Sequence, residues 1–357
     1  MTTSPILAPI GPGAVRTRLL VLRARIAPWL ERIFGITLLI LGLAWMLWNF
    51  SDDPARFFAS LLGGLTLGSM YALIALGYTM VYGIVELINF AHGDLFMLGT
   101  ILSANIIVTG AGVHEMGIHA APVILLALIL TMVFCASLNV ASEFFAYRRL
   151  RRAPKLAALM TAVGLSFVFR GIAQQEWING SSQKSWFFLW HGASFRGIAP
   201  AKIVLVISVT VPLLIAMTWI VKRTRQGMAM RAVAQDQDGA RLMGINVDRT
   251  ISFTFGLGGA LAGAAAVLWF CVQTQTYYNA GTQLGLIAFT AAVLGGIGNL
   301  TGAVVGGVTI GIIQGINEGC AHAAGLRWSQ SVVFLVLILL LVLKPEGLLG
   351  RRSIEKV

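Results

Sequence analysis

Charge is what this sequence has least of. Only 11% of its 357 residues are Asp, Glu, Lys or Arg, against roughly 25% in a soluble domain. A water-facing surface cannot be built from so few ions, so most of the chain faces lipid or other apolar helices. Acidic residues are scarcest, 14 against 26 basic ones, which leaves a net charge of +12. The three cysteines, Cys135, Cys271 and Cys320, stand in or beside apolar runs without metal-ligand spacing, as small buried residues do. No GxxxxGK[ST] loop is there to cradle the phosphates of ATP, and no GxSxG elbow to present a nucleophilic serine. His114-Glu115 with His119 imitates a zinc helix, but histidines five apart do not share a helix face as a pair four apart would. The residues point to no metal, no catalytic set and no nucleotide site in this chain.

Apolar residues make up 57% of the chain, and glycine, at 40 residues, exceeds its usual share of ~7%. Glycine is common in membrane helices because it lets backbones approach closely. The basic residues are clustered: 20 of the 26 fall in 1–32, 148–155, 222–249 and 344–357, each between or beyond apolar runs. That is the positive-inside pattern. It is a statement of topology, not a basic groove for nucleic acid.

These signals predict an all-α polytopic membrane protein of about ten transmembrane or half-membrane helices. Residues 1–32 read as a basic cytoplasmic tail, whose Val15–Arg32 stretch suits the inner membrane surface. Residues 33–50 read as a retained first helix, because Ser51, Asp52, Asp53 and Pro54 offer no small-residue cleavage site. Further crossings are expected at 57–79, 95–108, 122–147, 156–176, 203–221, 251–272, 284–297, 303–317 and 328–343. Both termini, including the tail 351–357, then lie in the cytoplasm. Trp177, Trp186 and Trp190 suit an outer headgroup layer.

Two turns on the cytoplasmic side carry no Lys or Arg, at 83–94 and at 298–302. The first is expected to break near Gly83 and places Glu86, Asn89, His92 and Asp94 in an otherwise apolar sequence. Ionisable groups at membrane depth cost about 2.5–3.5 kcal/mol each on insertion scales, so they persist where they face protein or water. Irregular backbone at that depth is tolerated where it lines a cavity, and paired Gly-interrupted segments point to a central site. Where that stretch is helical, Glu86, Asn89 and His92 share a face, as do Tyr71, Tyr78 and Tyr82 upstream. With Asn299 they form a candidate translocation path, the alternative being polar clamps between helices. Asp94 is also a candidate cap for the helix that follows. Gly307, Gly311, Gly315 and Gly319 recur every fourth residue, and Gly259 and Gly263 repeat the spacing, as close helix packing requires. Arg170, Glu143 and Glu318 are isolated charges in or near apolar runs, able to pair with one another or with a partner chain.

The loop 222–249 reads as two short cytoplasmic helices, over 228–235 and 240–243, with Asp238 near the start of the second and Gly244 at its end. Met228, Met230, Leu242 and Met243 supply apolar contacts for docking into another protein.

GSMYALIALGYTMVYGIVELINFAHGDLFMLG, RAVAQDQDGARLMGINVDR and FTAAVLGGIGNLTGAVVGG together resemble the permease subunits of branched-chain amino acid ABC importers of the Liv type, the LivH-like one. The resemblance covers about residues 57–350, so that 51–350 is the permease domain and residues 33–50 an additional helix. It implies a non-enzymatic transport subunit in a bacterial inner membrane. Its expected partners are two ABC ATPase subunits, a second LivM-like permease and a periplasmic solute-binding protein, with ATP and Mg held by the ATPases. Gly227, Arg231, Asp236, Asp238 and Gly244 then belong to the loop that receives ATPase motion. Branched-chain amino acids are the expected solute, with urea, short amides or other amino acids open within the same family. A gradient-driven transporter or channel coupled through Glu86, His92 and Asp94 is the reading of a different class.

Overall fold

A computed structural model describes residues 37, 40–85, 89–113, 115–116, 120–151, 153–176, 178–186, 189–190, 200–344 and 346–350. The chain divides into two compact units, Met1–Pro54 and Ala55–Val357. The expected tails 1–32 and 351–357, Glu86, Trp177, His114 and His119 lie outside the described residues. In the first unit, residues 40–52 are helical and expose Ile40, Leu41, Leu43, Leu47 and Trp48.

The second unit is helical nearly throughout. Its elements are α1 (Pro54–Val85), α2 (Ala91–Ala104), α3 (Ala121–Ser142), α4 (Lys155–Ala173), α5 (Pro200–Arg223), α6 (Arg225–Gln235), α7 (Gln237–Leu242), α8 (Val247–Gln273), α9 (Ala280–Gly295), α10 (Leu300–Gly319) and α11 (Ser329–Leu343). One π-helical stretch, Asn105–Gly110, extends α2, and another, Glu143–Tyr147, extends α3. Two clips of paired strands tie loops together: β1 (Glu115–Met116) runs parallel to β3 (Leu189–Trp190), and β2 (Lys184–Ser185) antiparallel to β4 (Gln275–Thr276).

Among the described residues, eight helices are long and apolar enough to cross a membrane, and α9 is a shorter apolar helix of 16 residues. The chain is a multi-pass membrane protein. Its lipid-facing helices declare themselves by burial: only 17% of the apolar window of α5 and 11% of that around α11 is enclosed, against 78% for α8. Leu125, Ile129 and Val133 on α3, and Val204, Val211 and Ile215 on α5, are exposed, which hydrocarbon tolerates and water would not.

Glycine sets the interior. An added Cβ at Gly311 would stand 2.2 Å from the Gly68 Cα, and one at Gly315 2.3 Å from the Gly64 Cα, so α1 and α10 cross backbone to backbone. Gly259 and Gly263 do the same on α8, against Cys135–Ala136 and Thr131–Met132 of α3. The four-residue glycine spacing is thus spent on packing inside this chain.

Among the described residues, the basic stretches at 148–151 and 222–249 gather at one end. Arg151 donates to Asp248 at 2.6 Å, joining the segment after α3 to the start of α8. A cavity unites Lys222 and Arg231 with the turn at Gly298–Thr301 and with Leu349, beyond α11. This is the basic end; Arg56 in the first turn of α1, Lys202 in the first turn of α5 and Gly319 at the end of α10 lie together at the other.

Candidate functional site

The two broken stretches meet at the basic end. α1 does not break near Gly83 as expected: it stays helical through Gly83 to Val85. An added Cβ at Gly83 would lie 3.7 Å from the Gly298 Cα. Asn89 and Phe90 lead into α2, which starts at Ala91. The second break is a true turn, with Gly296 at φ +102° and Gly298 at φ +88°. Residues after α11 fold back on it: Leu348 N–H donates to the Leu294 carbonyl at 2.8 Å and Leu349 N–H to that of Gly295 at 3.1 Å.

Tyr78, Tyr82 and Asn89 come together around a cavity of about 10 Å³, closed on its other side by Phe289 and Ile297. That volume is about one water. The Tyr147 hydroxyl donates to Asn89 Oδ1 at 2.8 Å, so the break is pinned to the π-helical end of α3. His92 is buried with its ring edge-on to Tyr78 at 4.7 Å, and an added Cβ at Gly77 would stand 2.6 Å from its Nε2. Tyr71 lies two turns up α1 and donates to Gln314 Oε1 at 2.9 Å. Asp94 turns away from this group. It accepts from Ser166 and faces Arg170 at 3.5 Å, and Arg170 donates to Ser166 at 2.6 Å. Asp94 is not a cap, because α2 begins three residues earlier, after Phe90, and has no side-chain cap bond. Asn299 is one: its Oδ1 accepts from the N–H groups of Thr301 and Gly302 at 3.1 and 3.2 Å, while its Nδ2 holds the Leu349 carbonyl.

Between these breaks and the loop 222–249 lies a cavity of about 860 Å³. Thr79, Met80 and Gly83 line it from α1, Met230 and Arg231 from α6, and Asn299 from the turn. The two short helices of the loop start earlier than expected, at Arg225 and Gln237. Thr224 caps α6 by accepting from Gly227 N–H at 3.1 Å. Asp236, rather than Asp238, caps α7, accepting from the Asp238 N–H at 3.0 Å. Asp238 instead pairs with Arg241 at 3.4 Å. Gly227 presses on α5, where an added Cβ would stand 2.3 Å from the Ile220 and Val221 carbonyls, and Arg231 donates to Val221. Gly244 follows α7 at φ +81°, the left-handed conformation that ends helices. Leu242 and Met243 are 89% and 83% exposed, and Met228 is exposed too, whereas Met230 is buried and packs inward.

Three features escaped the sequence reading. Buried Glu143 bonds Arg148, Arg151 and Ser252, tying the end of α3 to α8 just past the loop. Tyr147 reaches Asn89, and Ser166 bridges Asp94 to Arg170. Only the isolated charges Glu143 and Arg170 signalled these clusters. Cys320, just past α10, has its thiol pushed up by burial.

The family described as branched-chain amino acid transport system / permease component matches residues 60–342. The chain belongs to this family. The permease is 36% identical over 318 residues to the high-affinity branched-chain amino acid transport system permease protein LivH of Escherichia coli K12, covering 86% of this chain and 100% of LivH. It is 37% identical over 315 residues to the corresponding protein BraD of Pseudomonas aeruginosa, covering 85% and 98%. The autoinducer 2 import system permease protein LsrC of Photorhabdus laumondii is 30% identical over 213 residues, covering 57% of this chain and 60% of LsrC. No solved structure matches the permease.

Proposed function

We propose that this permease is the membrane-spanning subunit of an ATP-driven importer of branched-chain amino acids in a bacterial inner membrane. It works with two ABC ATPase subunits, which hold ATP and Mg and carry out the hydrolysis, a second LivM-like permease and a periplasmic solute-binding protein. The basic end faces the cytoplasm by the positive-inside rule, and the sequence expectation of two cytoplasmic termini goes with it. Branched-chain amino acids are what its full-length relatives LivH and BraD are named for.

One observation carries the mechanism. The capped pair α6–α7 offers exposed Leu242 and Met243 at the basic end, and the inner side of α6 forms a wall of the cavity that reaches the last turns of α1 and the turn at Gly298–Thr301. Closure of an ATPase dimer against α6–α7 moves α6. Gly227 and Arg231 transmit that motion to α5, and the wall formed by Met230 and Arg231 shifts against Gly83 and Asn299. The loop reports ATP state only if it binds the two ATPase states with different affinity. Solute passes beside Tyr78 and Tyr82 of α1, Asn89 between the helices and His92 of α2.

The test is reconstitution of the full importer in proteoliposomes. D236A removes a cap worth about 0.5–2 kcal/mol, and G244V forces a branched residue into a left-handed backbone. Each is expected to lower leucine uptake at least about tenfold while ATP hydrolysis loses its response to loaded binding protein. Normal uptake and normal stimulation in both variants would defeat the coupling role. Flux of leucine down a proton or sodium gradient through this chain alone would establish the gradient-driven class instead.

A further inference from the structure

At the end away from the basic loops, α1, α5, α8 and α10 line a further, open-sided cavity of about 440 Å³. This size lies within the range of small-molecule sites. Its wall carries Arg56, Lys202 and Glu318 together with apolar Ala59, Leu67 and Val272.

The charges sit where the helices do not want them. A helix carries partial positive charge at its N-terminus and partial negative charge at its C-terminus. Yet Arg56 lies in the first turn of α1, Lys202 in the first turn of α5 and Glu318 in the last turn of α10. The dipole of each one's own helix disfavours all three.

Hydrogen bonds hold them at the cavity wall. Arg56 Nε donates to the Gly319 carbonyl at 2.6 Å, and Lys202 Nζ to that of Val272 at 3.2 Å. Glu318 Oε1 accepts from Gln314 at 2.8 Å and from Ser329 at 2.6 Å. Capping α10 and α8 explains why two cations reach these carbonyls. It does not explain the carboxylate of Glu318, which burdens an end that is already negative.

We infer that this cavity is a receiving site for a small zwitterion, the free amino acid released at the far face. Its carboxylate is met by Arg56 and Lys202, whose positive charge the N-termini of α1 and α5 reinforce. Its ammonium is met by Glu318, reinforced by the carbonyl end of α10. An aliphatic side chain lies on Ala59, Leu67 and Val272. The inference rests on the amino acid reading proposed above and adds the place where solute first meets this chain. A zwitterionic lipid headgroup shares the chemistry, and its phosphate would take the carboxylate's place.

The test uses the complete importer in proteoliposomes made with and without phosphatidylethanolamine. ATP-driven leucine uptake is measured against the concentration of loaded binding protein. E318Q keeps the bonds to Gln314 and Ser329 but loses the charge, and K202M loses its charge on a stem of similar length. Both are expected to lower kcat at least about tenfold in both lipid mixtures, with KM for the binding protein and the melting temperature unchanged. K202R restores the rate. Wild-type rates in E318Q and K202M, or a fall in melting temperature that tracks the loss, overturn the site. So does a defect confined to phosphatidylethanolamine vesicles, which assigns the cavity to lipid. Absence of leucine uptake by the wild-type importer is a separate failure: it removes the amino acid reading and this site with it.

Discussion

Asp94 sits in the first turn of α2, where a carboxylate suits the helix dipole, yet its energetics are decided across the interface with α4. It is buried against Ser166 and Arg170, and Arg170 reaches it at 3.5 Å. Removing one partner of a buried ion pair costs roughly 3–5 kcal/mol, because the other charge is stranded. R170A is therefore expected to melt well below wild type in detergent, and D94N/R170A to recover part of the loss. An R170A protein that melts with wild type would mean that water reaches Asp94 freely. His92 faces a different constraint. Its ring fills the space above Gly77, where an added Cβ would stand 2.6 Å from Nε2. G77A is expected to displace the ring and to lower leucine uptake; unaltered uptake would remove His92 from the candidate path.

At the scale of elements, the contact of α1 with α10 is made of absent side chains. G311L places a branched chain where the Gly68 Cα stands 2.2 Å from the new Cβ. Overpacking of this kind costs about 1–3 kcal/mol, and here the neighbour is backbone, which cannot rotate away. The control is Gly164 on α4, where an added Cβ meets nothing within 4 Å. G164L is expected to be neutral, and G311L to reduce the folded yield and the melting temperature. Equal behaviour of the two variants would show that α1 and α10 do not cross at this distance. The π-helical end of α3 is the other informative element. It puts Glu143 against Arg151 and Ser252 next to the loop, and Tyr147 against Asn89 at the break. π-helical turns recur at functional sites, and this one joins Asn89, just before α2, to the first turns of α8.

For the whole molecule, the orientation is open to a direct check. The cysteines are buried, so an introduced surface cysteine reports with little background. S181C, in the loop between α4 and α5, is expected to react with a membrane-impermeant thiol reagent in intact cells, and M243C only after permeabilisation. Labelling of M243C in intact cells would turn the molecule over and end the ATPase-coupling reading. The class of protein was legible in sequence because lipid imposes a simple rule: few charges, long apolar helices and basic loops on one side. The glycine spacings and the loop with its capped helices were legible for the same reason, being local patterns. Contacts between distant segments carry no such mark. Nothing in the order of residues says that Gly311 meets Gly68, that Ser166 bridges Asp94 to Arg170, or that Arg56, Lys202 and Glu318 share one cavity. Those pairings follow from which helix faces can approach when side chains are absent, and only the folded arrangement decides that.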